Sequence, residues 1–186
     1  MPTRLFRNLP NLLTVLRLTL VPFVVRELWR GNYRLALVLL FVAGATDALD
    51  GYLARRFNWT SRFGAYLDPV GDKLLLVSVY LVLGLKDVVP RWLMWLVLGR
   101  DALILTMVAI ALLFTQVRSF PPSIWGKLST VIQIGAGLGI IAANGYFPVR
   151  PPGFDQAIVL VTALATGVSG LHYLWLAGNR LRRDSL

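Results

Sequence analysis

Long apolar blocks separated by short polar connections dominate the pattern of hydrophobic and polar positions along the chain. A helix needs roughly 20 mainly apolar residues to cross the hydrocarbon core of a bilayer. Six blocks are of about this length: Leu12–Trp29, Tyr33–Ala54, Tyr66–Leu85, Trp92–Phe114, Ile124–Ala143 and Ala157–Ala177. The pattern predicts an all-α integral membrane protein with six transmembrane helices. The short connections predict a single membrane domain over residues 1–186.

The composition agrees with this class. Of the 186 residues, 56% are hydrophobic and only 15% are charged, whereas a soluble domain has roughly 25% charged residues. The opening MPTRLFRNLP predicts a short N-terminal interfacial helix, with its apolar side chains toward lipid and its arginines toward the headgroups. Arg17 interrupts the first apolar block and no small-residue cleavage site follows, so this block does not read as a cleaved signal.

The net charge of +10 indicates lipid headgroups rather than nucleic acid, because basic residues of membrane proteins gather at helix ends. Six spans put both termini on one side of the membrane. That side would hold Arg4, Arg7, Arg55, Arg56, Arg62, Arg118, Arg180, Arg182 and Arg183, and the other Arg26, Arg30, Arg34, Lys86, Arg91 and Arg150. The excess of basic residues predicts a cell (inner) membrane protein with cytoplasmic termini.

Four aspartates occupy predicted spans, where a charge costs ~2.5–3.5 kcal/mol at the helix centre and therefore indicates function. Asp47 and Asp50 are three residues apart on one face of the second helix, and Asp68 and Asp72 are four apart on one face of the third. Asp68 also fits a helix cap, with Pro69 in the first turn. A short loop joins the two helices, so we expect antiparallel neighbours whose aspartates meet near the cytoplasmic end.

Four clustered carboxylates repel one another, so either some are protonated or cations hold them. Carboxylate oxygens suit hard divalent ions such as magnesium, manganese or calcium. A zinc site lacks ligands, because the chain has no cysteine and one histidine, His172. We expect His172 to be interfacial or hydrogen-bonded.

Small residues follow the aspartates: Gly51, Ala54 and Gly64. They fit ordinary close packing of helices. Alternatively, they form a groove shallow enough for a ligand to reach the metals. Arg55, one turn after Gly51, would in the second case hold a phosphate as a charged fork.

The spacing of these residues matches the signature of the CDP-alcohol phosphatidyltransferases at every position: Asp47-x2-Asp50-Gly51-x2-Ala54-Arg55-x8-Gly64-x3-Asp68-x3-Asp72. The segments LPNLLTVLRL and LDPVGDKLLL resemble the family's bacterial glycerophospholipid branch. The resemblance implies transfer of a phosphatidyl group from CDP-diacylglycerol to an alcohol, with release of CMP, by a homodimer.

The resemblance also implies roles for single residues. Asp47, Asp50 and Asp68 would bind two divalent cations, Mg²⁺ or Mn²⁺, with Asp72 also near the metals and acting as the base for the acceptor hydroxyl. The residues implied to border the nucleotide and diphosphate are Gly51, Ala54, Arg55, Gly64, Asn11, Thr14 and Arg17. The last three equally fit a plain helix-cap and interface interpretation.

Three basic residues at or near the cytoplasmic half of the helix bundle are predicted to bind the acceptor phosphate: Arg100, Lys127 and Arg118. Arg118 also fits an ordinary charged residue of a loop. The segment WGKLSTVIQ resembles the enzymes that make phosphatidylglycerol phosphate, and glycerol 3-phosphate ranks first as acceptor because that enzyme is the more common member of the family. Those enzymes commonly carry Arg-Glu in the fourth span and an arginine two turns later, where this chain has Arg100-Asp101 and Val108. The Arg-Asp pair resembles the eukaryotic-type cardiolipin synthases, whose acceptor is phosphatidylglycerol. Inositol, serine and choline rank below both.

A cation or proton transporter is the alternative from another class, because intramembrane aspartates also build ion paths. A transporter would carry acids spread through the bilayer depth and two related halves with broken helices. In this chain the acids cluster at one end and the halves look unrelated. A purely structural membrane protein has no need of four clustered carboxylates.

Overall fold

The computed structural model describes the backbone of residues 9–57, 62–114, 123–147 and 149–184. Within these ranges, the side chains of residues 9–14, 50, 51, 53–55, 57, 62–70, 72, 108–114, 177 and 179–184 are outside the description. The predicted N-terminal interfacial helix falls largely on residues 1–8 and is therefore outside the described part of the chain.

Regular structure in the described ranges is entirely helical, which confirms the all-α prediction. The six helices are α1 Leu9–Trp29, α2 Tyr33–Phe57, α3 Arg62–Leu85, α4 Arg91–Phe114, α5 Ile124–Tyr146 and α6 Phe154–Asp184. Each predicted block lies inside one helix. The cap interpretation of Asp68 is wrong, because α3 begins at Arg62 and both Asp68 and Pro69 lie inside the helix.

The contacts divide the chain into two compact units. The first comprises Met1–Leu83 and Ile141–Pro148, and the second comprises Gly84–Ile140 and Val149–Leu186. The first unit therefore carries α1, α2 and most of α3, while the second carries α4, most of α5 and α6. The single membrane domain stays a prediction.

In the first unit, α1 packs against α2. Val24 and Leu28 of α1 and Ala36 and Ala43 of α2 are at most 1% exposed. Alanine allows two helix backbones to approach closely, which is the usual way in which helices pack when lipid replaces water. This close pairing holds α2 beside α1.

The connection from α1 to α2 is a tight turn at Gly31. Its φ of 78° lies in the left-handed region that glycine enters without steric cost. The Gly31 N–H donates to Leu28 and the Asn32 N–H donates to Glu27, at 3.0 and 2.9 Å, which is the Schellman pattern of a helix end. The turn sends α2 back along α1 after only three residues.

In the second unit, α4 packs against α6, and buried polar side chains join α5 to α6. The Gln133 amide Nε2 donates to Thr166 Oγ1 at 2.9 Å and to Ser129 Oγ at 3.3 Å. Gln133 and Thr166 are fully buried. Side-chain hydrogen bonds of this kind bind helices together where hydrophobic contrast with lipid is weak.

Two helical segments of the described chain are long and apolar enough to cross a membrane, Ile124–Tyr146 and Phe154–Leu176. A third apolar segment, Lys73–Leu85, is shorter. Large apolar side chains are also widely exposed on the helix surfaces, including Phe41, Trp95 and Leu171. These features suggest a membrane protein.

Candidate active site

An ion pair in the first unit joins α1 to the first aspartate of α2. The guanidinium Nη2 of Arg17 contacts Asp47 Oδ1. Arg17 is 1% exposed, whereas the Asp47 side chain is 43% exposed. A buried guanidinium requires an anionic partner to offset the cost of leaving water, so the α1–α2 packing fixes the position of this carboxylate.

Arg17 also lies beside α3. A Cβ atom added at the buried Gly71 would lie 3.9 Å from Arg17 Nη1 and 3.6 Å from Leu18 Cδ2. Gly71 lies between Asp68 and Asp72 in the chain, so the carboxylate-bearing segment of α3 passes close to the Arg17 guanidinium. The two helices that carry the predicted metal ligands, α2 and α3, therefore both lie close to Arg17 of α1.

The other three aspartates are described only through their backbone. Asp50 follows Asp47 by three residues inside α2, and Asp68 and Asp72 are four residues apart inside α3. These spacings put each pair of positions on one face of its helix, as predicted.

The donor set fits hard divalent cations. All four predicted ligands are carboxylates, which Mg²⁺ and Mn²⁺ prefer. Asp47 also already lies against a buried positive charge, as expected for a site where negative charge accumulates. Among the side chains that the structure describes, no three acidic or histidine groups cluster as a metal site, since three of the four aspartates are outside that set.

The residues predicted to border the nucleotide lie mainly on the same two helices. Gly51, Ala54 and Arg55 belong to α2 and Gly64 to α3, while Asn11, Thr14 and Arg17 belong to α1. Arg17 is the member of this set whose side chain is described. It lies in the interior of α1 and contacts α2, which agrees with the interface interpretation but not with a helix cap. Its nucleotide contact stays a prediction.

Arg100, predicted to receive an acceptor phosphate, is a buried member of a hydrogen-bonded cluster in the second unit. Its Nη1 donates to Asp101 Oδ1 at 2.6 Å. Its Nε and Nη2 donate to Ser169 Oγ at 3.2 and 2.8 Å. Arg100 and Asp101 are 7% and 4% exposed, so this ion pair lies inside the unit.

Lys127, the second predicted acceptor contact, is exposed at the start of α5. Its backbone N–H donates to the Ser123 carbonyl at 3.1 Å, in the first turn of the helix. Arg118, the third predicted contact, is outside the described residues. The acceptor roles of these three residues stay predictions.

The sequence analysis missed three polar residues of this cluster. Ser123 is the N-cap of α5, because its Oγ accepts the Gly126 N–H at 3.0 Å. Ser169 and Tyr173, one turn apart on α6, contact the Arg100 guanidinium and Ser123. A serine directly before an apolar run is a recognisable cap signal, so Ser123 could have been predicted. The long-range contacts of Ser169 and Tyr173 have no corresponding signal in the sequence.

His172 is partly buried beside aromatic side chains. Its ring stacks on Trp175 with 6.0 Å between ring centroids, and Tyr173 is edge-on to it at 6.5 Å. The interfacial or hydrogen-bonded environment expected for His172 stays a prediction.

Comparison with known proteins gives a family and several relatives. The family model described as CDP-alcohol phosphatidyltransferase matches residues 7–169. A CDP-diacylglycerol--glycerol-3-phosphate 3-phosphatidyltransferase of Pseudomonas fluorescens is 36% identical over 95% of this chain and 93% of its own length. One of the same name from Haemophilus influenzae is 32% identical over 94% and 95% of the two chains.

A probable cardiolipin synthase (CMP-forming) of Drosophila melanogaster is also similar. It is 32% identical over 90% of this chain, and the match spans 56% of the fly protein. The names of these relatives thus correspond to the two enzyme activities that the sequence analysis considered for this chain.

Proposed function

Because the chain belongs to the CDP-alcohol phosphatidyltransferase family, we propose that it transfers the phosphatidyl group of CDP-diacylglycerol to glycerol 3-phosphate and releases CMP. The observation that carries this proposal is the convergence of α1, α2 and α3 around the buried Arg17, beside the segments that bear the four aspartates. Relatives of nearly the same length that carry this activity in their names support glycerol 3-phosphate as the acceptor.

The proposed reaction is a displacement at phosphorus. The acceptor hydroxyl oxygen attacks the phosphorus of the phosphatidyl group, and the bond from that phosphorus to the oxygen of CMP breaks. The carboxylate of Asp72 takes the proton of the acceptor hydroxyl. The products are phosphatidylglycerol phosphate and CMP, and the proton leaves later from Asp72 to water.

The proposed cofactors are two divalent cations, Mg²⁺ or Mn²⁺, held by Asp47, Asp50, Asp68 and Asp72. When bound, they offset the charge of the diphosphate, orient it and stabilise the leaving CMP. Arg17 contributes by holding Asp47 in a fixed orientation, which reduces the rearrangement that ligation requires. Arg55 would contact the diphosphate as a charged fork, next to Gly51, Ala54 and Gly64.

On the acceptor side, we propose that Lys127 contacts the phosphate of glycerol 3-phosphate, with Arg100 and Arg118 contributing positive charge. An exposed ammonium suits a small, soluble and highly charged acceptor.

Cardiolipin synthesis is the second candidate, and the Arg100–Asp101 pair favours it. Asp101 lies 2.6 Å from Arg100 and offsets its charge inside the protein. A partly neutralised arginine suits phosphatidylglycerol, whose phosphate is a singly charged diester, better than the near-dianion of glycerol 3-phosphate. The probable cardiolipin synthase of the fly supports this alternative.

The experiment that separates these candidates is an acceptor panel. Purified protein in detergent receives CDP-diacylglycerol, Mg²⁺ or Mn²⁺, and each acceptor in turn, and the lipid product and CMP are quantified. We expect phosphatidylglycerol phosphate with glycerol 3-phosphate. A preference for phosphatidylglycerol would identify a cardiolipin synthase, and no product with any alcohol would contradict phosphatidyl transfer.

Replacing Lys127 by alanine tests the acceptor contact. Losing a charge-assisted contact to phosphate costs about 1.5–3 kcal/mol, so we expect the KM for glycerol 3-phosphate to rise about 10- to 150-fold. The KM for CDP-diacylglycerol should not change. Lys127→Arg keeps the charge and serves as the control, and an unchanged acceptor KM in Lys127→Ala would show that this residue does not bind the acceptor.

We further propose that the protein is a homodimer without a nucleic acid partner. We also propose that all six helices cross the inner membrane, with both termini and the 55–62 loop in the cytoplasm. The chain has no cysteine, so an introduced cysteine is the sole target of a thiol label.

Cysteine labelling tests this orientation. Ser61→Cys should react with a membrane-impermeant reagent only from the cytoplasmic side, since CDP-linked lipids and their metals are encountered there. Lys86→Cys, in the connection after α3, should react only from the opposite side. Labelling of Ser61→Cys from outside alone would reverse the proposed topology.

A further inference from the structure

We propose that Tyr173 and Ser169 of α6 are positioning residues for the acceptor: they fix the first turn of α5, and with it Lys127, by contacts that converge on Ser123 and Gly126. The inference rests on the proposed function, because it assigns these residues a role through Lys127. Every contact that supports it lies within the second unit.

The first set of contacts runs from α6 to the start of α5. The Ser123 N–H donates to the Tyr173 hydroxyl at 3.2 Å. The same serine accepts the Gly126 N–H through Oγ at 3.0 Å and the Lys127 N–H through its carbonyl at 3.1 Å. All three polar groups of Ser123 are therefore engaged, and Tyr173 is linked to Lys127 through one residue.

Gly126 allows α6 to approach this turn closely. A Cβ atom added at Gly126 would lie 2.7 Å from Tyr173 Oη and 3.0 Å from Tyr173 Cε2. No side chain fits at that distance from an aromatic ring without movement. The Tyr173 ring thus packs directly on the backbone that precedes Lys127.

The second set of contacts comes from α4. Arg100 Nη2 donates to the Gly126 carbonyl at 3.1 Å and to Ser169 Oγ at 2.8 Å. The guanidinium carbon lies 6.0 Å from the centre of the Tyr173 ring, within reach of a cation–π contact. Ser169, fully buried, therefore orients Arg100 on Gly126.

These two sets of contacts meet on the residue before Lys127. A long lysine side chain loses conformational freedom when it binds a phosphate, and a fixed backbone reduces the remaining cost of ordering it. If the cluster only held helices together, its loss would lower stability without distinguishing one substrate from the other.

The test measures the KM for each substrate in Tyr173→Phe, which keeps the ring and removes the hydroxyl. Loss of one neutral hydrogen bond corresponds to an effect of about two- to tenfold, and we expect it on the KM for glycerol 3-phosphate alone. Ser169→Ala should act in the same direction. Thr162→Val is the control, since the fully buried Thr162 hydroxyl bonds to Ile158 of its own helix at 2.7 Å.

A double-mutant cycle makes the test specific. Because Tyr173 is proposed to act through Lys127, Tyr173→Phe should not raise the acceptor KM further in a Lys127→Ala background. Multiplicative effects, equal changes in both KM values, or an unchanged KM in both Tyr173→Phe and Ser169→Ala would overturn the inference while leaving phosphatidyl transfer intact. A wild-type protein that releases no CMP with glycerol 3-phosphate would instead defeat the proposed function, and the inference with it.

Discussion

Asp50→Asn is expected to lower the rate of phosphatidyl transfer at least about 100-fold, because it removes a carboxylate that we propose as a ligand of the metals. Loss of groups that only support metal ligands already costs about 10- to 100-fold. The same variant should raise the thermal midpoint of the protein in excess chelator, since it relieves repulsion among four carboxylates. CMP release and unfolding in detergent are the two measurements.

Asp87→Asn is the matched control for this change. Asp87 is exposed after α3, has a φ of 55° and pairs with Arg91 at 2.9 and 3.1 Å. Asparagine tolerates that backbone conformation, so the control also replaces one carboxylate by one amide without strain. Full activity of Asp50→Asn, or full wild-type activity in excess chelator, would remove the case for metals at these aspartates.

Asp72→Asn is expected to abolish turnover while the protein still binds CDP-diacylglycerol. General base catalysis contributes about 10²- to 10⁴-fold, and asparagine cannot accept the proton of the acceptor hydroxyl. Asp72 is one turn beyond Asp68 in α3, and we propose that it takes the proton of the acceptor, the second substrate. Turnover and binding of CDP-diacylglycerol are measured separately, with Mn²⁺ present.

Asp155→Asn provides the comparison for Asp72→Asn, because Asp155 is a half-exposed aspartate paired with Arg150 at the start of α6. Loss of CDP-diacylglycerol binding together with turnover would assign Asp72 to the metals alone. A substantial rate in Asp72→Asn would exclude it as the base.

The long apolar blocks predicted the helices well but placed some of their ends imperfectly. The last block was predicted as Ala157–Ala177, whereas α6 extends from Phe154 to Asp184. Similarly, α2 continues through Arg55 and Arg56 to Phe57. Hydropathy reports where side chains tolerate lipid, while backbone hydrogen bonding continues through polar residues into the interface. A helix can therefore extend beyond its apolar block, as α2 and α6 do.

The positions of the acidic pairs also followed from spacing, because residues three or four apart share a helix face. The contact partners of the buried arginines could not be predicted from spacing. Arg17 contacts Asp47 thirty residues away, and Arg100 contacts Ser169 at a separation of 69 residues. Such contacts depend on which helices become neighbours, and the pattern along one helix does not specify this.

Arg100 illustrates the consequence for function. Its predicted depth suggested an anion receiver, but depth alone does not reveal that its donors are engaged by Asp101, Ser169 and Gly126. Lys127, in contrast, is an exposed cation of the second unit, and residues of α6 contact the turn that carries it.

The most direct test of the central claim is the conversion of glycerol 3-phosphate into extractable lipid by purified protein with CDP-diacylglycerol and Mn²⁺. The account predicts one CMP for each phosphatidylglycerol phosphate formed, and loss of both products when chelator exceeds the metal. Lipid and CMP formation that persists in excess chelator would contradict the metal site, and absence of both products with every acceptor would contradict phosphatidyl transfer itself.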